Sequence, residues 1–272
     1  MRIIEVQFAP WDQGYFFKPA DEEGGLLSLG KGDRVVARTS VGIDLGLVIE
    51  AGELAEAAEG PGEIKPVSRQ ATGDDLLHHL ELNKDKEARL AFCGGLVKKY
   101  QLDMKLVDCQ QSFDGQRLVF AFIADGRIDF RDLAKELTKK YSLVVRLHQI
   151  GVRDEARFKG DMGPCGKPLC CKMHLKELGN VTTDYAKCQQ IAHRGSERLS
   201  GVCDRLKCCL RYEQAVYEEL GRKFPAIGSV MKTQKGSGEV IFWHTLKGTV
   251  DVNLGTAGEP NIVEVPVKQP KV

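Results

Sequence analysis

At 272 residues, with 42% hydrophobic and 28% charged side chains, the chain can bury a sizeable core as one large or two to three small domains, which excludes wholesale disorder. The net charge of +1 hides an asymmetry. Residues 1–138 carry 17 Lys and Arg against 24 Asp and Glu, residues 139–223 carry 17 against 10, and the remainder 5 against 4, so the middle of the chain is its basic part.

From Ile3 to Glu50 the pattern is short strands and turns. Ile3, Glu5 and Gln7 alternate with Ile4, Val6 and Phe8, Gly14 to Phe17 follows a polar turn, and Asp33–Thr39 with Ile43–Ile49 reads as a hairpin across Ser40-Val41-Gly42. A small β-barrel or curled sheet is expected. Residues 52–73, rich in Gly, Pro and Glu, read as a connector. Thr72-Gly-Asp-Asp75 has the form of a capping box and opens a helical region through Tyr100, with Gly94-Gly95 weakening its last turns.

The period then changes to two. Leu102, Met104 and Leu106 alternate with Asp103 and Lys105, Asp114-Gly115 makes a turn, and Leu118 to Ile123 is apolar on both faces, as in a central strand. Asp129 can cap a helix whose apolar stripe is Phe130, Leu133, Ala134, Leu137 and Tyr141, and Leu143–Gln149 is a further strand. This α-β-β-α-β order suits a ferredoxin-like α/β sandwich with two helices on one face. Short helices are expected near Cys171–Leu178 and Leu206–Leu220, then four short strands between Ser229 and Pro266, with a hairpin turn at Gly236-Ser-Gly238 and a frayed end at 268–272. The fold class is therefore α+β: an N-terminal small β-barrel-like region (1–51), a connector (52–73), an α+β sandwich (74–150), a Cys-rich metal-binding region (151–223) and a C-terminal small β-barrel or sheet (224–267).

The longest apolar run, Leu118 to Ala124, is far short of a membrane span, and Met1 to Glu5 lacks a signal peptide's apolar core, so a cytoplasmic protein is expected. In that reducing compartment the nine cysteines do not suggest a disulfide framework. Six of them form a repeat. Gly163-Pro-Cys165-Gly-Lys-Pro-Leu-Cys170-Cys171 returns, displaced by 38 residues, as Gly201-Val-Cys203-Asp-Arg-Leu-Lys-Cys208-Cys209.

Adjacent cysteines diverge on helix or strand, so one doublet rarely gives both sulfurs to one ion. Cys165 with Cys170 or Cys171, plus Cys203 with Cys208 or Cys209, would supply four thiolates and leave two over. A closed zinc site needs no spare thiolates and commonly uses Cys-x-x-Cys; an iron–sulfur cluster tolerates the longer spacing, and spare cysteines could serve a second cluster or one shared with a partner. Iron–sulfur is therefore favoured, with zinc as the alternative. Nearby lysines and arginines would stabilise bound thiolates.

Cys93 and Cys109 read as buried small hydrophobes, and Cys188 is open to either reading. His174 and His193 flank the repeat as ordinary surface or capping residues. No zinc-protease helix, dinucleotide loop, phosphate loop or nucleophile elbow is present, which leaves a self-contained enzyme unsupported.

With Gly151-Val-Arg-Asp-Glu-Ala156, Leu102–Asp108 and Ala124–Leu133, the doubled motif, extended through Leu210-Arg-Tyr-Glu213, resembles the YaaT (RicT) family of bacterial cell-fate regulators, which carry the PSP C-terminal homology domain. The resemblance implies a non-enzymatic subunit that joins two small helical partners, RicA and RicF. With them it would bind iron–sulfur clusters, of 4Fe-4S type, and assist endoribonuclease Y in maturing messenger RNA, so influencing sporulation, competence and biofilm formation. The family's cluster ligands correspond to Cys165, Cys170, Cys171, Cys203 and Cys208. The chain departs from its relatives at Lys172-Met-His174 and at Asp204, where glycine is common; neither change removes a thiolate. Two other classes remain open from the residues alone: a zinc-stabilised nucleic-acid-binding module using the basic 139–223 region, and a thiol redox sensor.

Overall fold

The computed structural model describes residues 2–21, 23–53, 64–175, 178–255 and 259–267. The chain forms two compact units, one running to Phe158 and one beginning at Lys159. The protein is α+β, and among the described residues its strands form three sheets, none of them a closed barrel.

In the first unit, β1 (Arg2–Gln7), β2 (Tyr15–Phe17), β3 (Arg34–Thr39), β4 (Gly42–Glu53) and β5 (Arg69–Gln70) build an antiparallel sheet in the order β2-β1-β4-β3-β5. The expected hairpin is present, with Thr39 opposite Gly42. Alternation drives Ile4, Val6, Val35, Ala37 and Val48 into one core with Phe17, Leu29 and Val67. Gly46 is required where β4 passes β1, because a Cβ there would stand 2.2 Å from the Val6 side chain.

The residues read as a connector behave differently in their two halves. Residues 54–63 lie outside the described set, as does the expected frayed end, whereas the segment from Pro66 to Ala71 is sheet edge: Ser68 N–H donates to Val36 and Ala71 N–H to Arg34. An isolated bridge joins Lys18 to Pro66, so the sheet curls without its ladder closing.

The capping box is real. Thr72 accepts from Asp75 N–H while the Asp75 carboxylate accepts from Thr72 N–H, and Arg69 pairs with the same carboxylate and holds its pKa below the usual range. The helical region it opens is broken, however, into α1 (Gly73–Leu82) and α2 (Lys86–Lys99). Asn83 makes the break: its amide oxygen accepts from Gln111 N–H at 2.7 Å and its amide nitrogen donates to Gln111 C=O at 3.3 Å, so the side chain acts as a strand partner. Helix α2 runs straight through Gly94-Gly95.

β6 (Lys105–Gln111) and β7 (Arg117–Ile123) form the expected hairpin around Asp114-Gly115, and Gly115 takes a positive φ of 72°. α3 (Arg131–Tyr141) then crosses to β8 (Val144–Gln149), and α4 (Val152–Lys159) follows. β8 lies directly beside β7 and parallel to it, in the order β6-β7-β8. A ferredoxin-like split unit would place another strand between them. Asp129 accepts from Arg131 N–H, one residue ahead of the N-cap Phe130. Cys93, Leu96 and Val97 of α2 pack with Leu133 and Leu137 of α3 over one sheet face; Ala9, Trp11 and Ile150 cover Ala121 and Ile123 on the other. This double coverage is why β7 reads as apolar on both faces.

The two sheets of this unit are tied by charge as well as by contact. Phe113 N–H donates to Asp44, Ile43 N–H donates to Asp114, and the buried Arg117 guanidinium lies 3.3 Å from Asp44. Burial nevertheless pushes the Asp44 carboxyl up to about 6, against the opposing pull of Phe113 N–H and Arg117.

The second unit carries the cysteine repeat, described below, and a four-stranded antiparallel meander. β9 (Val230–Thr233), β10 (Gly236–His244), β11 (Thr249–Asn253) and β12 (Ile262–Pro266) lie in the order β12-β11-β10-β9, as four expected strands. The β9–β10 turn is made by Gln234-Lys235, and Gly236-Ser-Gly238, read as the turn, instead starts β10 because Gly236 already pairs with Thr233.

Candidate thiolate site

Each copy of the repeat folds into the same knuckle. In the first, Gly163 N–H donates to Lys167 C=O at 2.8 Å, Gly166 N–H to Gly163 C=O at 2.9 Å, and Leu169 N–H to Asp161 C=O at 3.2 Å. In the second, displaced by the same 38 positions, Gly201 donates to Arg205 at 2.8 Å, Asp204 to Gly201 at 3.1 Å, and Lys207 to Leu199 at 2.8 Å. The isolated bridges repeat too, Met162 with Pro168 and Ser200 with Leu206. Sequence similarity is thus similarity of backbone hydrogen bonding.

The tight turn needs a left-handed residue, which Gly166 supplies at φ 74° and Asp204 at φ 56°. Glycine adopts that conformation without strain, and a short aspartate tolerates it at some cost. The turn folds the first cysteine back over the opening glycine: a Cβ on Gly163 would lie 3.4 Å from the Cys165 sulfur, and one on Gly201 would lie 3.9 Å from that of Cys203.

Directly after each knuckle, at the first cysteine of the doublet, a short helix begins: α5 (Cys170–Met173) and α8 (Cys208–Tyr212). On a helical start adjacent side chains diverge by about 100°, and Cys171 is accordingly buried while Cys170 is half-buried. Cys208 and Cys209 are both half-buried, Cys203 likewise, and Cys165 is exposed.

The two copies meet. α5 packs on α8, and the ring of His174 stands edge-on to that of Tyr212, with centroids 5.4 Å apart. These two residues occupy equivalent positions in the repeat, 38 residues apart, so each copy contributes the same position to the contact. The doublets are drawn together by this packing. Burial pushes the Cys209 thiol up, Glu213 and the Cys170 thiol of the other copy add to the effect, and Lys207 opposes it.

A small core supports the second copy. Leu199 of α7 (Ser196–Leu199) and Leu210 of α8 pack with Ala186 of α6 (Thr183–Cys188), and Gln189 donates to Leu210 C=O at 2.6 Å. Neither α6 nor α7 has a periodic signature, being only six and four residues long. α9 (Gln214–Gly221) then leads toward the meander.

Of the six cysteines, the structure brings the doublets of the two copies near each other but does not gather any three sulfurs within 4.8 Å among the described residues. A tetrahedral zinc with bonds of about 2.3 Å requires sulfurs roughly 3.8 Å apart. The donors of the repeat are soft thiolates, suited to thiophilic metals. His174 and His193 are engaged with the Tyr212 and Phe242 rings. Cys93 and Cys109 are buried in the core between α2 and β6, with burial pushing their thiols up to about 12 and about 11. One set of ligating side chains escaped the sequence: His244, Asp251 and Glu264, from three different strands, offer ligand atoms within 4.8 Å of one another.

Over 254 residues the chain is 36% identical to the stage 0 sporulation protein YaaT of Bacillus subtilis, covering 93% of this chain and 90% of that protein. The chain belongs to the YaaT family. The resemblance read from the cysteine motif thereby holds over nearly its whole length. Two regional matches divide this YaaT-family chain: residues 65–150 match the PSP1 C-terminal conserved region, and residues 180–224 the third domain of PSP1-like proteins. The first covers β5 through β8; the second contains the second knuckle with α6 to α9. An uncharacterized protein of Schizosaccharomyces pombe is 30% identical over 77 residues, 28% of this chain and 10% of that protein. No solved structure matches the chain. No helix among the described residues is long and apolar enough to cross a membrane.

Proposed function

We propose that this YaaT-family protein is a non-enzymatic, cytoplasmic regulator of cell fate whose two knuckles together hold an iron–sulfur cluster. The observation that carries the reading is the doubled knuckle itself, with α5 on α8 bringing Cys170 toward Cys209. Cys165, Cys170, Cys171, Cys203, Cys208 and Cys209 are the residues that would hold the group. The Cys-x4-Cys spacing and the two thiolates beyond a four-ligand set favour a larger cluster of 4Fe-4S type over a single zinc ion.

When bound, the cluster would supply a rigid covalent cross-link between the two copies. The chain's own residues do the rest. The knuckle turns present Cys165 and Cys203, the helix starts present the doublets, and Lys207 eases deprotonation of Cys209. The relative is a stage 0 sporulation protein, which supports a role in the same class of decision. By the family resemblance the partners are RicA- and RicF-like small helical proteins, and the output is endoribonuclease Y-dependent processing of messenger RNA.

The decisive experiment is anaerobic purification from the native host, with visible absorption and iron, sulfide and zinc analysis on one sample. Matching iron and sulfide in brown protein is the expected result, and Cys170→Ser with Cys208→Ser should abolish it together with partner capture. Colourless protein with stoichiometric zinc refutes the cluster. Normal partner capture by the double variant refutes the cluster as the adaptor element.

A further inference from the structure

The outer face of the C-terminal meander carries a second constellation of ligating atoms, remote in chemistry from the thiols. Val240, Val250 and Val252 are buried on the core face, where Trp243 and Val265 pack against them. A register shift between Val240 and Phe242 inserts Ile241 as a bulge, after which Phe242 pairs with Asp251 and Trp243 with Val250. Strict alternation would send Val240, Phe242 and His244 to one face. The bulge reverses the phase, so Trp243 goes to the core and His244 to the outside.

On that outer face Asp251 stands directly opposite Glu264. Two carboxylates facing each other across an antiparallel pair repel unless a cation lies between or beside them. His244 Nε2 is 3.1 Å from Asp251 Oδ1, and Glu264 Oε1 accepts from the Thr249 hydroxyl, with Lys247 Nζ at 3.6 Å.

We infer that His244, Asp251 and Glu264 form a binding site for a divalent metal ion of intermediate hardness, independent of the thiolate site. One imidazole and two carboxylates match Mn²⁺, Fe²⁺, Co²⁺ or Zn²⁺ better than the all-oxygen preference of Mg²⁺ and Ca²⁺ or the thiolate preference of Cu⁺. Two negative ligands neutralise the ion, and three protein ligands leave coordination positions for water or an anionic group. Binding takes Nε2 from hydrogen bonding to Asp251 into metal ligation, its proton passing to Nδ1 or to solvent. Lys247 is the built-in competitor, since its ammonium occupies the charge environment the ion would enter.

Mn²⁺ is the discriminating probe, because thiolates take it poorly. Titration of the full-length protein as purified, followed by loss of the free-ion Mn²⁺ resonance, should show one ion per chain. Glu264→Gln and His244→Ala should each weaken binding tenfold or more. In the former the amide oxygen can still accept from Thr249, so unchanged melting without metal separates ligand loss from unfolding. Lys247→Gln should tighten Mn²⁺ several-fold, an effect that a purely structural ion pair would not produce. No Mn²⁺ binding at millimolar concentration overturns the inference, as does binding that ignores these variants or follows Cys170→Ser instead.

Discussion

Gly166→Ala tests the knuckle geometry at its most sensitive point. A Cβ at Gly166 would meet nothing within 4 Å, so packing adds no term and the cost is that of holding an L-residue at φ 74°. Left-handed backbone costs a non-glycine residue about 1–2 kcal/mol. That corresponds to a roughly 5- to 30-fold shift in the local opening equilibrium. Native-state hydrogen exchange at the Gly163 and Leu169 amides, which close the first knuckle, reads this opening directly. Gly195 provides the control: its added Cβ also meets nothing within 4 Å but its φ is −47°, so Gly195→Ala carries no left-handed penalty, and the loss of an N-cap glycine set against the unfolded-state entropy gain should leave a change under about 1 kcal/mol. The second knuckle provides the converse, since Asp204→Gly relieves the same strain and should slow exchange at Gly201 and Lys207 modestly. Equal effects of the two alanine variants, or no effect of Gly166→Ala, would refute the left-handed turn as the element that shapes the site.

Three further outcomes are expected. Because burial raises the folded Asp44 pKa from 3.8 to about 6, the folded state retains a proton that the unfolded state has released across that window. Stability of the first unit should fall as pH rises through it, by up to about 3 kcal/mol, and Asp44→Asn should flatten that limb in urea titrations at pH 4 to 7. Thr72→Ala removes one side of the α1 capping box and should cost about 1 kcal/mol by denaturant unfolding; no loss would show that Arg69 and Asp75 hold the helix start without it. In metal-free protein, alkylation followed by mass spectrometry should label exposed Cys165 early and leave Cys93 and Cys109 unlabelled until unfolding; early labelling of Cys93 would contradict its burial.

Much of this protein is written in local signals. The hairpins at Ser40-Val41 and Asp114-Gly115, the capping box at Thr72 and the C-terminal strands depend on turn chemistry and a period of two, which act over a few residues. The 38-residue repeat was equally legible, because each knuckle closes its own hydrogen bonds within nine residues.

What required the tertiary structure depends on partners distant in sequence. Asn83 breaks a helix only because Gln111, 28 residues on, presents a strand edge to its amide. Asp44 acquires its raised pKa from burial against a turn some 70 residues away. Whether β8 lies beside β7 is decided by sheet pairing, which strand order alone leaves free. The side chain of His244 follows the same rule: it lies one residue past the strand legible from Gly238 to Trp243, and a one-residue bulge chose its face, because alternation has period two and a single insertion inverts everything beyond it.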